Sequence, residues 1–266
     1  MAFGRRRRAM QDAMYSAMFG AMSNEIRVNQ IANNMANVNT TGYKKDQLTF
    51  HDTFLRFAHD SVVDTKNYLR GENVFPRPDI LAKPRLSDQI VDMSQGSLAH
   101  TGNPLDVAIS GEGFFQVQAP GGDYLTRNGS FLVSADGMLV TEQGYPVLGE
   151  GGPVSIPQAS PVQIDEQGVI FQDGAEVGQI GVYTVDDPAQ LEKVGSNLFG
   201  TTANALAPVP AEDAVLYQGY VEKSNVEVVT EMVSLIESQR SYEAYAKIIK
   251  DSNELSTQLL EKVGKV

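Results

Sequence analysis

A chain of 266 residues with 42% hydrophobic side chains has enough apolar material for one large domain or two small ones, which excludes disorder throughout. A formal net charge of −12 argues against nucleic-acid binding, because that work needs a positive face to displace counterions from phosphates. With no cysteine, disulfides and thiolate metal sites are excluded.

Residues 1–9 read as an N-terminal extension carrying the one basic cluster, Arg5 to Arg8, and Met10 offers an alternative start. Polar and charged residues interrupt the following AMQDAMYSAMFGAMSNE, so no cleavable leader is expected, and the sequence holds no apolar run of about 18 residues. Export from the cytoplasm would need another route. Residues 10–45 are expected to hold a long helix and the motif that ends it. Met14, Ala21, Val28 and Met35 alternate with Ala17, Asn24, Ile31 and Val38 at coiled-coil spacing. Tyr15, Phe19, Met22 and Ile26 form a second apolar face on the same helix. One partner helix cannot cover both faces; an ordinary buried core helix is the plainer alternative.

Residues 46–93 read as an extended linker. His51, Phe54, Leu55 and Phe57 suggest a little helix there, while Pro76, Pro78 and Pro84 enforce extended backbone. From 94 to 220 the chain switches to short alternating runs, Val107 to Ile109, Phe114 to Val117, Tyr124 to Thr126, Ser130 to Val133 and Met138 to Val140. Turn pairs separate them at Gly121-Gly122-Asp123, Asn128-Gly129, Asp136-Gly137, Gln143-Gly144 and Gln167-Gly168. This predicts a compact, mostly antiparallel β-domain. Residues 221–266 return to a helix, uninterrupted by Gly or Pro from Val226 to Val263 and capped by Ser224 or Asn225. A second seam runs through Val228, Met232, Leu235, Tyr242, Ile249 and Leu260, and Val226, Val229, Val233 and Ile236 make another face beside it. The fold class expected is therefore α+β: long terminal helices forming a coiled coil, with a central β-domain.

Little here points to catalysis. His51, His59 and His100 lack metal-ligand spacing. Asp165-Glu166 and Asp186-Asp187 are paired carboxylates of the kind a glycosidase uses, yet neighbours on a strand point to opposite faces, and Asp187 precedes Pro188 as in a turn. Gly111-Glu112-Gly113 and the GEGG at 149–152 lack the residues of a nucleotide loop and read as turns. No cofactor and no small-molecule substrate are expected.

Several stretches carry a family resemblance, in order and over essentially the whole chain. ANNMANVNTTGYKK (Ala32 to Lys45), GSLAHTGNPLDVAISGEGFFQV (Gly96 to Val117), YLTRNGSF (Tyr124 to Phe131), ADGMLVTEQGYPVLG (Ala135 to Gly149) and SNVEVVTEMVSLIESQRSYEAYAKII (Ser224 to Ile249) resemble the flagellar rod and hook axial proteins. QDAMYSAMFGAMSNE and DTFLRFAHD resemble the proximal rod type more than the distal one. The resemblance implies a structural subunit of the flagellar basal-body rod. Its terminal helices would form an inner coiled-coil layer around a channel, with export through the flagellar type III apparatus. Expected partners are copies of itself, other rod proteins and that apparatus. By the same resemblance Asn33, Asn34 and Asn37 would lie at subunit interfaces with both helical seams and with Tyr15, Phe19, Met22 and Ile26, whereas from spacing alone these asparagines, with Asn39, read as a helix-end cap before a turn at Gly42. Two rival classes remain: a secreted adhesin or carbohydrate-binding β-module, which leaves the helices without purpose, and an anionic-surface tether through Arg5 to Arg8, which the acidic remainder opposes.

Overall fold

The structure, a computed structural model, describes residues 2–54, 82–149, 151–157, 161–201, 207–211 and 213–263. Helix α1 runs unbroken over Ala2–Ala36. It stops where Asn37, Asn39, Thr40 and Thr41 favour side-chain to backbone bonding over helix, and Gly42 takes a φ of 67° in the left-handed region. Helix α2 covers Val228–Val263 with Glu231 in its first turn, where a carboxylate favours the helix dipole.

Among the described residues, 19 strands lie between them. They are β1 (Asp46–Phe54), β2 (Ala82–Val91), β3 (Leu98–His100), β4 (Val107–Ser110), β5 (Phe114–Ala119), β6 (Gly122–Thr126), β7 (Phe131–Val133), β8 (Leu139–Thr141), β9 (Val147–Gly149) and β10 (Gly152–Pro153). The chain continues through β11 (Val162–Ile164), β12 (Val169–Gln172), β13 (Ala175–Gln179), β14 (Val182–Thr184), β15 (Leu191–Gly195), β16 (Leu198–Thr201), β17 (Val209–Pro210), β18 (Val215–Gln218) and β19 (Tyr220–Glu222). The largest sheet has the order β10-β9-β5-β6-β16-β15, with β14 bridging β5 and β17. Two late strands return to early ones: β18 pairs antiparallel with β4, and β19 with β3. The expected mostly antiparallel β-domain is present.

Successive side chains on a strand face opposite ways, and β5 uses this to line two cores. Phe115 and Val117 enter the main cluster with Val107, Ile109, Phe131 and Leu139; Phe114 enters a smaller one with Leu125, Leu191 and Phe199. The rings of Phe115 and Phe131 meet edge to face at 5.1 Å, as do Phe114 and Phe199 at 5.8 Å, the arrangement that the ring quadrupole favours.

Most turn pairs close hairpins, namely Gly121-Gly122 between β5 and β6, Asp136-Gly137 between β7 and β8, and Gln167-Gly168 between β11 and β12. Asn128-Gly129 does not. Gly129 O instead accepts from Val107 N at 2.9 Å, so close that a Cβ at residue 129 would strike the Val107 backbone; tertiary contact overrides the local turn signal. In the 46–93 segment, β1 and β2 pair as a two-stranded sheet, so His51 and Phe54 are strand rather than helix, and Pro84 lies in β2. Leu55, Phe57, Pro76 and Pro78 fall outside the described residues.

The coiled coil expected between the terminal helices is not what the structure shows. It has a single helix at each end and a strand-rich middle, with no interlocked seam between α1 and α2 among the described residues. The two meet where the Tyr245 ring lies against Gly20. The reason lies in which side of α2 is covered: Glu231, Ser238 and Ser252 are buried at heptad spacing, while Val228, Met232 and Tyr242 are exposed. Short hydroxyl side chains supply no knobs for a coiled-coil hole.

The chain divides into two compact units. One contains Met1–Ala32, Gln47–Ile90 and Met232–Val266; the other contains Asn33–Asp46 and Val91–Glu231.

Candidate functional site

The densest polar constellation lies within the second unit, where the segment after α1 meets the β-domain and the first turn of α2. It begins with the asparagines. Asn34 is buried and exchanges two bonds with Asp46, its Nδ2 donating to Asp46 O at 3.0 Å and its Oδ1 accepting from Asp46 N at 3.1 Å. Asn37 Nδ2 donates back to Asn33 O at 2.9 Å. The Tyr43 hydroxyl reaches Asn33 Oδ1 at 2.9 Å and Asn34 Oδ1 at 3.1 Å. These amides close the last turn of α1 and fold the chain back on itself, a use Asn is suited to because it carries both donor and acceptor.

Gly42 then brings the backbone hard against the β-domain. Its N–H donates to Glu222 O at 2.8 Å, and a Cβ there would collide with the backbone of Arg127 and Asn128. Thr41 Oγ1 donates to Asn128 Oδ1 at 2.8 Å, and Asn197 Nδ2 donates to Thr41 O at 2.9 Å. The positive φ and this close approach together demand glycine.

Lys44 follows, fully buried. Its Nζ donates to Glu222 Oε1 and to Ser94 O, both at 2.7 Å. Glu222 Oε1 also accepts from Gly96 N at 2.9 Å, while Oε2 lies 3.3 Å from Arg127 Nη1. Arg127 Nη2 donates to Gly111 O at 2.8 Å, and the guanidinium stands 5.1 Å over the Phe114 ring, a cation–π distance. Burial pushes both Lys44 and Arg127 below their ordinary values, partly offset by the Glu222 carboxylate.

Two further ion pairs flank this centre. Lys193 Nζ donates to Lys44 O at 2.6 Å, pairs with Asp46 Oδ1 at 2.7 Å and stands 4.2 Å over the Tyr43 ring. Burial lowers its pKa, with Asp46 opposing, while burial and then the Asp46 charge raise the Tyr43 phenol. On the other side Lys45 Nζ pairs with the buried Glu231 at 2.6 Å. Lys45 N donates to Asn225 Oδ1 at 2.7 Å, and Asn225 Nδ2 donates onward to Asp92 O at 2.9 Å. Asn225 is thus a bridge rather than the cap of α2; Ser224 Oγ accepts from Val226 N at 3.3 Å.

The seam residues of α1 are covered to different degrees. Ala17 and Ile31 are buried, Met14, Ala21, Val28 and Met35 are half-buried, and Val38 is half-buried in the turn beyond the helix. On the second face Tyr15, Phe19 and Met22 are exposed and Ile26 is half-buried. In α2, Val228, Met232 and Tyr242 are exposed, Leu235 and Ile249 half-buried, and the Leu260 side chain lies outside the described residues. Of the asparagines, the structure brings Asn33, Asn34 and Asn37 together around Tyr43. Lys44, Arg127, Glu222, Lys193 and Glu231 escape a sequence reading, although Lys44 and Arg127 sit inside the motifs GYKK and TRNG. Among the described residues no group of three His, Asp or Glu is placed to hold a metal.

Three family models match the chain: "Flagella basal body rod protein" over residues 14–44, "Flagellar hook protein FlgE/F/G D1 domain" over 108–172 and "Flagellar basal body rod FlgEFG protein C-terminal" over 217–261. A flagellar basal-body rod protein FlgF of Caulobacter vibrioides is 37% identical over 97% of this chain and 100% of its own. This chain belongs to the flagellar basal-body rod protein family. A FlgG rod protein of Borreliella burgdorferi is 35% identical over 92% of this chain and 96% of its own, and a FlgF of Mesorhizobium japonicum 31% over 96% and 99%. FlgF and FlgG members thus stand at comparable identity, and the comparison does not separate the two types. The model matching residues 14–44 ends at Lys44, so the rod-protein motif includes the lysine that pairs with Glu222.

Proposed function

We propose that this chain is a structural subunit of the bacterial flagellar basal-body rod, adding to its own copies and to other rod proteins through apolar helix faces, with no catalytic step. Family membership supports the role. The observation that carries the mechanism is the exposed apolar surface on both helices: Tyr15, Met18, Phe19 and Met22 on α1, and Val229, Met232, Val233 and Ile236 on α2. Contiguous apolar side chains in water mark an association surface, and each such side chain removed from water contributes roughly 1.5–3 kcal/mol. The β-domain, packed around a continuous apolar core, fits a part that transmits torque rather than one that binds or turns over a substrate. Its place is the periplasm-spanning rod, reached through the flagellar type III export apparatus.

Electron microscopy of basal bodies from a strain lacking this gene tests the reading. The expected result is an incomplete rod, restored by the gene in trans; complete rods in the deletion strain contradict it.

A further inference from the structure

We propose that the charge cluster around Glu222 is a single latch rooting both terminal helices, so that the 41–46 segment that follows α1 and the first turn of α2 become ordered or are lost together. This inference does not depend on the rod assignment.

The Glu222 carboxylate gathers partners from three separate stretches: Lys44 after α1, the Gly96 backbone and Arg127 after β6. The segment carrying Lys44 is also held by Gly42 N on Glu222 O and by Thr41 on Asn128. The next residue fastens α2, since Lys45 offers its N–H to Asn225 and its ammonium to Glu231. The two Lys45 contacts therefore serve both chain ends at once.

Partial release is the unfavourable state. If the 41–46 segment leaves alone, Glu231 loses Lys45 and Asn225 Oδ1 loses its donor, both on the α2 side, while Glu222 keeps only Arg127 and Gly96 N. If the start of α2 leaves alone, Lys45 is left half-covered against Asp92, whose N–H still holds Lys45 O at 2.8 Å. Removing one member of a buried pair costs more than the pair contributes, because the remaining charge stays desolvated. Arg127 already has one unpartnered buried atom, Nε, which leaves the cluster little tolerance for further loss. Complete docking and complete release are thus favoured over either half.

Hydrogen exchange on the full-length protein tests the latch. Glu222→Gln removes the charge while keeping the shape. Loss of a charged hydrogen bond corresponds to about tenfold or more in opening equilibrium, so exchange in 41–46 and in 226–236 is expected to rise together by that factor, with 114–126 unchanged. A rise confined to either end, or no rise at either, overturns the proposal. If Glu222→Gln also exposes 114–126, Asn225→Ala decides the matter, since it leaves every ion pair in place: a joint smaller rise at both ends is expected, and a rise on the α2 side alone overturns the latch.

Discussion

Lys44 and Glu222 stand 178 positions apart in sequence and 2.7 Å apart in the fold, both shut off from solvent. Because Glu222 also serves Arg127 and Gly96, the two partners are not equivalent. Glu222→Ala strands two cations and a backbone N–H, and is expected to lower stability by about 3–5 kcal/mol. Lys44→Met leaves Glu222 on Arg127 and is expected to cost less, about 1.5–3 kcal/mol. Urea unfolding at neutral pH checks the ordering; equal midpoints for the two variants and the parent would show that the pair is idle.

Gly20 and Tyr245 meet across the two helices within their unit. A Cβ at residue 20 would fall 2.6 Å from the Tyr245 ring. Alanine normally favours a helix interior over glycine by about 1 kcal/mol, so an isolated helix would gain from Gly20→Ala. Here the expected sign is reversed, with α1 and α2 losing stability together in thermal melts followed by helical circular dichroism. Combining Gly20→Ala with Tyr245→Leu is expected to recover most of the loss, a coupling of about 0.5–3 kcal/mol. Strict additivity of the two changes would show that ring and glycine do not touch.

Tyr43 supplies the pH dependence. Burial first, then the Asp46 carboxylate and its hydrogen bond, push the phenol well above the ordinary 10.0. A folded value above the unfolded one means that the folded chain holds the proton longer, so this contribution is fully present below pH 10.0 and is lost as pH rises beyond it. Lys44 and Lys193 act the other way. Burial holds them below 10.5, so their contribution grows as pH rises toward that value and is complete above it. Ultraviolet titration is expected to show one tyrosine ionising only as the protein unfolds, and Tyr43→Phe should remove that late step and flatten the alkaline loss of stability. A late step that survives in Tyr43→Phe would assign it elsewhere.

The β-domain was legible because its signals are local. Alternation in Phe114 to Val117 and turn pairs such as Asp136-Gly137 state strand and hairpin within a few residues. Asn128-Gly129 misled because the strands it joins, β6 and β7, pair with β5 and β8 rather than with each other, and the approach of Gly129 to the distant Val107 decided its conformation. The heptads misled differently. Spacing says which side chains share a helix face, not which face the chain covers, and α2 covers the polar line of Glu231, Ser238 and Ser252. The charge cluster was invisible for the same reason of distance: nothing near Glu222 announces that Lys44 will be its partner.

The apolar faces give the remaining prediction. Val229 is 71% exposed and Met22 is 60% exposed, so neither contributes much to the stability of the single molecule. Val229→Asp places a carboxylate in the first turn of α2, where the helix dipole favours it, and Met22→Glu keeps a good helix former in α1. Both variants are expected to melt within about 0.5 kcal/mol of the parent. In an assembly the same carboxylates would have to be desolvated against apolar neighbours, so each is expected to raise the protein concentration needed for self-association about tenfold or more, read by sedimentation velocity. A variant that keeps its fold and associates as readily as the parent would remove that face from the interface, and the failure of both would leave the helices without an assembly role.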